Sequence, residues 1–295
     1  VDWWVIELSS YQLADLEAEP SIAVILNLTP EHLDWHVSAA AYRRDKLRLA
    51  TLAGDRPVIS NAADPVLREA LSGLANVHWF NGIEGIHVSG RQLFQGERLL
   101  PLQLPAGLPG AHNLSNAAAA LTAARIIGVE PEAAVDALAL FRPLPHRLQV
   151  LGEHLGRRYV NDSISSTPVA TVAALESFAG EQVTLIVGGL DRGLDWAPYM
   201  ESFAATPPLA IIAVPDSGPR ILGAMADAGM RPAGGMHEAT DLAAAVELAR
   251  RITPRGAIVL LSPGAPSFPR FRDYRDRGRQ FAILCGFDLE ERDLF

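Results

Sequence analysis

Short continuous apolar runs recur along the chain and alternate with segments whose apolar residues have helical spacing. In the first half, the runs predict strands in "WWVIEL", "SIAVILNLT" and "RPVISNA", with a helix in "SAAAYRRDKLRLATLA" between the last two. Runs of Val, Ile and Leu without polar alternation are typical of parallel strands that are covered on both faces. The pattern therefore predicts an α/β fold with a mostly parallel sheet.

A different pattern follows between Val77 and Pro105, where short strands separated by glycine turns predict a small antiparallel insertion. The next segment, "GAHNLSNAAAALTAARIIGV", begins with Asn and Ser cap candidates and predicts an alanine-rich helix to Gly128. The stretch "FRPLPHRLQVLG" then places two prolines between periodic segments. We expect a linker there, with one domain over residues 1–145 and a second over residues 146–295.

The second half alternates again between apolar runs and helical segments. It reads as a hairpin in "LQVLGEHLGRRYVNDS", followed by strands in "VTLIVGG", "LAIIAV" and "AIVLLSPG" with helices between them. Four strands joined by helical crossovers predict a Rossmann-like doubly wound sheet, which binds ligands at the carboxyl ends of its strands. The loops at those ends are "NDSISS", "GGLDRG", "VPDSG" and "SPGAPSF".

Composition narrows the class of protein. The formal net charge of −9 argues against nonspecific binding to nucleic acid, and apolar runs such as Ala210 to Val214 are far too short for membrane insertion. The single cysteine, Cys285, excludes an intrachain disulfide and favours a reducing, cytoplasmic location. The chain opens inside an apolar run without an initiator methionine, and we expect that an upstream domain is absent from it.

Polar side chains follow the first two apolar runs. Glu7, in "IELSSYQ", stands beside two serines and Gln12, a set of oxygen ligands that suits a hard cation such as magnesium. The motif "NLTPEHLDWH" holds two histidines, His32 and His36, around Asp34. Two local histidines without a cysteine do not make a closed zinc site. For "NLTPEHLDWH" a functional role is favoured, because acidic residues accompany the histidines. The alternative for both motifs is that their polar residues are solvated loop residues.

Lys46 is the only lysine among 25 basic residues, and every other position that needs positive charge has arginine. A lone lysine on a helix is ordinarily a solvated residue. Unlike arginine, however, a lysine loses its proton readily and accepts covalent modification. Carbamylation by carbon dioxide would convert this amine into a carboxylate-like ligand and invert its charge. The composition therefore favours a chemical role for Lys46.

Several later residues suit a nucleotide. The amides of Asn113 and Asn116 either cap the long helix or read an adenine edge, because an amide both donates and accepts hydrogen bonds. His146 and Arg147 lie at the predicted linker, where a guanidinium suits a phosphate that is enclosed when two domains close. Asp162 follows a strand and is placed to accept hydrogen bonds from ribose hydroxyls.

The remaining candidates suit a carboxylated substrate. Ser165, Ser166 and Thr167 precede a helix, whose N-terminus favours an anion. Arg192, with Ser262 and Ser267, follows other strands of the same predicted sheet. The chain has no G-x-x-x-x-G-K-[ST] phosphate loop, no G-x-G-x-x-G dinucleotide motif and no G-x-S-x-G elbow. None of these three motifs therefore indicates the chemistry of the chain.

Taken in chain order, the motifs resemble the Mur ligases of peptidoglycan synthesis, and in particular their glutamate-adding branch. The resemblance rests on "IELSSYQ", "NLTPEHLDWH", "YRRDKL", "HNLSNAAAA", "LPHRLQ", "YVNDS", "VGGLDRG" and "LLSPGAPSF". It implies a chain that starts inside the central ATPase domain, after the phosphate loop, and continues through a Rossmann-like glutamate-binding domain. Alone, such a fragment is expected to be inactive.

The resemblance also implies an activity. ATP and Mg²⁺ would activate UDP-N-acetylmuramoyl-L-alanine as an acyl phosphate, and glutamate would attack it. On matching positions the implied magnesium ligands are Glu7, His32 and Lys46 as a carbamate, with all three counted as catalytic. The implied nucleotide residues are Asn113, Asn116, His146, Arg147 and Asp162, and the implied substrate residues are Ser9, Ser166, Arg192, Ser267, Phe268 and Tyr274.

Two departures from that branch lie around the amino-acid pocket. Ile164 replaces a common lysine in "DSISST", and Arg192 stands where many members have a lysine. Both resemble the variant that adds L-glutamate, whose product a partner epimerase then converts. The alternatives are a D-glutamate-adding ligase, a ligase like folylpolyglutamate synthase, and a non-catalytic binding module.

Overall fold

The computed structural model describes residues 3–29, 33–102, 111–141 and 144–288. They form two compact units, which divide between Leu140 and Phe141. Within the described ranges, no helix combines the length and apolar content needed to cross a membrane.

The first unit is built on a three-stranded parallel sheet in the order β1 (Ala23–Ile25), β2 (Val58–Asn61), β3 (Val77–Phe80). Its helices before β3 are α1 (Ser10–Asp15), α2 (Leu33–His36), α3 (Ala39–Ala53) and α4 (Pro65–Leu71). Helix α3 begins where predicted, because the Ser38 hydroxyl accepts a hydrogen bond from the amide of Ala41 at 3.1 Å. Its buried face packs Tyr42 and Ala53 into the core beside β1 and β2.

The prediction of a first strand in "WWVIEL" is wrong. Residues 3–9 have no regular secondary structure, and the Val5 side chain is 99% exposed. A strand exists only when a neighbour accepts and donates its backbone hydrogen bonds, and no strand in the described part of the chain pairs with this run. Its apolar composition alone does not make it a strand.

The antiparallel insertion is confirmed but is shorter than predicted. It consists of β4 (Ile86–Ser89), β5 (Gln92–Gln95) and β6 (Arg98–Leu100), whereas the run from Val77 is the third parallel strand of the main sheet. Helices α5 (Ala111–Ile126) and α6 (Pro131–Ala139) follow. As predicted, α5 stops before Gly128, whose positive φ of 87° suits the residue just beyond a helix end.

The second unit is a six-stranded sheet in the order β11-β10-β9-β12-β8-β7. Its strands are β7 (Gln149–His154), β8 (Arg157–Asn161), β9 (Val183–Val187), β10 (Ala210–Ala213), β11 (Met236–Glu238) and β12 (Ile258–Leu261). The hairpin of β7 and β8 is antiparallel, as predicted, and all the other pairings are parallel. Strand β11 was not predicted, because its three residues contain no apolar run.

Helices cover both faces of this sheet, and the Rossmann-like prediction is confirmed. One apolar cluster joins the sheet to α7 (Pro168–Glu176), α8 (Met200–Ala205) and α9 (Gly218–Asp227). A second cluster joins the other face to α10 (Leu242–Ile252) and α11 (Tyr274–Leu284). Strand β12 lies between β8 and β9 but leads to a helix on the opposite face from theirs. The carboxyl end of β12 is therefore a topological switch point, where such sheets bind ligands.

Candidate functional site

Lys46 lies on α3 in the first unit, with its side chain half-buried. Tyr42 precedes it by one helical turn on the same face and is buried in the core. Of the residues that the resemblance groups with Lys46, Glu7 is exposed in the irregular segment before α1, and His32 lies outside the described residues. In the described part of the chain, no three His, Cys, Asp or Glu side chains form a group that could hold a metal ion.

Ser9 has a structural partner. The Ser9 hydroxyl accepts a hydrogen bond from the backbone amide of Gln12 at 3.2 Å and lies 3.0 Å from the side-chain oxygen Oε1 of Gln12. In return, Gln12 Oε1 accepts a hydrogen bond from the backbone amide of Ser9 at 2.9 Å. This reciprocal capping box begins α1. The substrate-binding role of Ser9 remains a prediction.

The two candidate adenine-site residues both lie on α5. Asn113 is half-buried in the first turn, and Asn116 is exposed in the second turn. Because an N-cap residue precedes the first turn, the alternative role of N-cap is wrong for both asparagines. Ser115, between them, accepts a hydrogen bond from Asn81 Nδ2 at 2.7 Å, which ties this part of α5 to the residue after β3.

Asp162 lies at the switch point of the second unit and is only 5% exposed. Its Oδ1 accepts from the Leu148 amide at 3.1 Å, and its Oδ2 accepts from the Ser262 hydroxyl at 2.7 Å. Burial raises the pKa of this carboxyl to about 7, although the two hydrogen bonds act in the opposite direction. Asp162 thus joins the carboxyl ends of β8 and β12 to the segment that precedes β7.

His146 is also buried, and its imidazole has a defined proton position. Asn161 Nδ2 lies 2.9 Å from His146 Nδ1; an amide nitrogen only donates, so Nδ1 accepts and the proton resides on Nε2. Burial lowers the pKa of His146, and the nearby Arg275 lowers it further. Nε2 is buried and has no hydrogen-bond partner among the described residues. The adjacent Arg147 is exposed.

Arg277 was missed by the sequence analysis, although it organises the site. It is 2% exposed and donates to Ser163 Oγ at 3.0 Å, to the Ser163 carbonyl at 2.7 Å and to the Ala265 carbonyl at 3.0 Å. Burial lowers the pKa of this guanidinium to about 9. These bonds fasten the loop after β8 to the loop after β12. The only signal in the sequence is the run of arginines in "RFRDYRDRGR", which does not distinguish Arg277 from its exposed neighbours.

The loop that carries Arg192 is held by Arg220 of α9. Arg220 Nε donates to Asp191 Oδ2 at 2.8 Å, and its Nη1 donates to the Leu194 carbonyl at 2.9 Å. The hydrogen bond from Arg220 lowers the pKa of Asp191 to about 2. The loop after β9 therefore has a defined conformation, with Arg192 exposed on it.

The other candidate substrate residues line the same edge of the second unit. Ser267 is buried and lines a cavity of about 470 Å³ that includes Gly188, Gly189 and Arg277. Phe268 is 63% exposed, and Ser166 is half-buried before α7. Tyr274 is the first residue of α11, with its ring centroid 5.9 Å from that of His146. Because parallel strands end at one edge, β8, β9 and β12 bring these loops to one side of the sheet.

Comparison with known proteins agrees with this arrangement. Residues 1–124 match the family model described as the Mur ligase middle domain. A protein of Xanthomonas oryzae pv. oryzae named UDP-N-acetylmuramoyl-L-alanine--L-glutamate ligase is 49% identical over 293 residues, which cover 97% of this chain and 62% of that protein. The chain is therefore similar to Mur ligases over nearly its whole length. A relative of the same name from Xylella fastidiosa is 45% identical over 98% of this chain and 63% of its own length.

Solved Mur ligases share the fold of this chain. A MurF ligase from Thermotoga maritima, crystallised in complex with ADP, aligns with a TM-score of 0.68 and 17% identity over 94% of this chain and 63% of that one. UDP-N-acetylmuramate-alanine ligase MurC from Thermotoga maritima aligns with a TM-score of 0.61 and 21% identity, over 90% of this chain and 60% of that one. The chain thus spans somewhat less than two thirds of the length of the proteins that it matches.

Proposed function

We propose that the complete gene product is a Mur ligase, which uses ATP to join L-glutamate to UDP-N-acetylmuramoyl-L-alanine in peptidoglycan precursor synthesis. The observation that carries the proposal is the 49% identity, over 97% of this chain, to a relative named for that reaction. The same name, which specifies L-glutamate, supports the L-isomer over the D-isomer. The identity extends through both units.

The first unit would contribute to activation of the acceptor. Asn113 and Asn116 would contact adenine from α5, and Lys46 would act as a carbamate. Mg²⁺ is implied at Glu7, His32 and carbamylated Lys46, where it would neutralise phosphate charge. The described residues do not complete such a metal site, so the steps below rest on side chains and substrates alone.

The second unit would hold nucleotide and glutamate at the switch point. Arg147 is exposed and suits a phosphate oxygen. The Nε2–H of His146, which has no hydrogen-bond partner among the described residues, would supply a neutral donor. Asp162 would accept from ribose hydroxyls when it is ionised. The carboxylates of glutamate would contact residues at the strand ends, namely Ser166, Arg192, Ser267, Phe268 and Tyr274.

The chemistry requires two displacements. A carboxylate oxygen of the alanyl group attacks the γ-phosphorus of ATP, the bond to ADP breaks, and an acyl phosphate forms. The amine nitrogen of glutamate then attacks the acyl carbon, the tetrahedral intermediate expels inorganic phosphate, and the nitrogen loses a proton as the amide forms. Positioning the amine beside the acyl carbon is the main contribution expected of the protein.

The product would carry an L-glutamyl residue, which makes an epimerase acting on that residue the expected next enzyme. The nucleotide substrates of the proposed ligase are soluble, which favours the cytoplasm as the location of its reaction.

The test is a reconstitution with the complete gene product. ATP, UDP-N-acetylmuramoyl-L-alanine and enantiomerically pure L- or D-glutamate are supplied, and ADP release and product mass are measured. We expect a product with L-glutamate and little with D-glutamate. Turnover that depends on a pteroate acceptor instead, or glutamate addition with the D-isomer alone, would contradict the proposal.

A further inference from the structure

A hydrogen-bond network, buried at Ser10 and His36, connects α1 and α2 to α3, the helix that carries Lys46. His36, the last residue of α2, has Nδ1 2.8 Å from Asp45 Oδ2 on α3 and Nε2 2.9 Å from Ser10 Oγ on α1. Ser10 and His36 are each only 3% exposed. Asp45 also pairs with Arg44 at the surface, where Arg44 Nη2 lies 3.3 Å from Asp45 Oδ1.

The hydrogens of this network follow from its members. A carboxylate only accepts, so His36 Nδ1 donates to Asp45. In a neutral imidazole the other nitrogen then accepts, and the Ser10 hydroxyl donates to it. Each polar group therefore has a partner of the correct type, which is the condition under which a buried polar network gives a defined structure.

The order Ser10, His36, Asp45 is also that of a nucleophilic triad, but burial argues against nucleophilic catalysis. A triad serine must reach a substrate carbonyl. Here the imidazole is enclosed by the rings of Tyr11, Trp35 and Tyr42, with centroids 5.7, 4.5 and 5.2 Å from its own. Ser10 and His36 therefore serve to hold the helices in place.

His36 contacts α3 at two positions within the helical turn that precedes Lys46. It bonds Asp45, the residue before Lys46, and packs edge-to-face against Tyr42, one turn earlier on the same face as Lys46. We propose that His36 is a positioning residue for Lys46: it sets the rotation of α3 so that the ε-amine accepts carbon dioxide and the resulting carbamate keeps one orientation. This inference rests on the carbamate of the proposed function.

Carbamylation of Lys46 requires only carbon dioxide and the release of one proton. The neutral ε-amine nitrogen of Lys46 attacks the carbon of carbon dioxide, and a bond between nitrogen and carbon forms as one carbon–oxygen π bond opens. The nitrogen then loses a proton to solvent, which leaves a carbamate anion. His36 does not touch the reacting atoms and acts only through Asp45 and Tyr42.

The experiment measures the carbamate directly. The complete gene product is equilibrated with ¹³C-bicarbonate, and the carbamate carbon is observed by NMR in wild type and in His36→Phe. We expect the variant to lose most of the signal and kcat/KM to fall by about 10- to 100-fold, as when an outer partner of a catalytic ligand is removed. Leu93→Ala is the control for lost stability, because Leu93 is fully buried in the small antiparallel sheet and is not part of this network.

A second pair of variants keeps the inference testable should His36→Phe fail to fold. Asp45→Asn retains an oxygen that accepts from His36 Nδ1, whereas Asp45→Leu has similar size and no acceptor. We expect the asparagine variant to keep the carbamate signal and the leucine variant to lose it. Equal signals in these two variants, or a wild-type signal in His36→Phe, would overturn the positioning role alone. Absence of the signal from wild type would overturn the carbamate as well.

Discussion

The hydroxyl of Ser262 donates to Asp162 Oδ2 across 2.7 Å and joins the ends of two adjacent parallel strands. The other carboxyl oxygen accepts from the Leu148 amide. Two neutral donors do not replace the water that an ionised carboxylate loses on burial, which is why the pKa of Asp162 rises to about 7.

This raised pKa predicts a pH dependence of stability. The folded state binds the Asp162 proton more tightly than the unfolded chain does, so the contribution of this group is greatest at low pH. It is lost as the pH rises from about 4 to about 7, by up to about 4 kcal/mol. Urea unfolding of wild type and Asp162→Asn at pH 5 and pH 8 measures it. The free energy of unfolding of Asp162→Asn, relative to that of wild type, should be higher at pH 8 than at pH 5. If the two proteins show parallel pH profiles of stability, this account is contradicted.

Gly278 of α11 is predicted to be intolerant of alanine. A Cβ atom there would lie 2.2 Å from His146 Nδ1 and 2.9 Å from the Asn161 amide, both of which are buried. We expect Gly278→Ala to destabilise the protein by about 1–3 kcal/mol, which outweighs the gain in helix propensity. Gly223→Ala on α9 is the matched control, because nothing lies within 4 Å of its added carbon. Thermal unfolding should show a lower Tm for the first variant and an unchanged or higher Tm for the second.

Activity is predicted to require the amine of Lys46, and a positive charge at this position is not sufficient. In the complete gene product, Lys46→Ala and Lys46→Arg should both lower kcat by about 100-fold or more, because neither side chain forms a carbamate. Short carboxylic acids should restore part of the activity of the alanine variant. Arg43→Ala, an exposed position on the same helix, should leave kcat unchanged. An arginine variant with full activity would refute the carbamate.

Arg192 is predicted to bind a carboxylate of the incoming glutamate. Loss of one charge-assisted hydrogen bond costs about 1.5–3 kcal/mol, so Arg192→Ala should raise the KM for L-glutamate by about 10- to 100-fold. The KM for ATP should not change. Arg251→Ala, an exposed arginine paired with Glu247 on α10, serves as the control. Steady-state kinetics with each substrate varied in turn would show the effect, and a change confined to ATP would assign Arg192 to the nucleotide.

Sequence patterns predicted the parts of the fold that depend on local chemistry. Helix α3 followed from its cap and apolar spacing, and the buried strands β9, β10 and β12 followed from short runs rich in Val, Ile and Leu. The run "WWVIEL" is also mostly apolar, yet it has no paired neighbour in the described structure. Strand pairing is a long-range property, and a local pattern does not contain it.

The candidate site was predictable in its residue types but not in its burial. Asp162 was identified from its place after a strand. Its burial, which raises its pKa to about 7, and its hydrogen bond from Ser262, a hundred positions away, come only from the tertiary fold. Arg277 resembles its neighbouring arginines in sequence, and only the fold turns it toward Ser163 and Ala265. The role of His36 likewise depends on three helices meeting around one ring.

The half-buried amine on α3 also makes the molecule convenient to probe. Because Lys46 carries the only lysine side chain among 295 residues, an acylating mass tag would mark a single side-chain amine, and bound nucleotide or bicarbonate would change its labelling rate. Chemical footprinting of this one atom would therefore test, without any engineered label, whether nucleotide or bicarbonate binds beside Lys46.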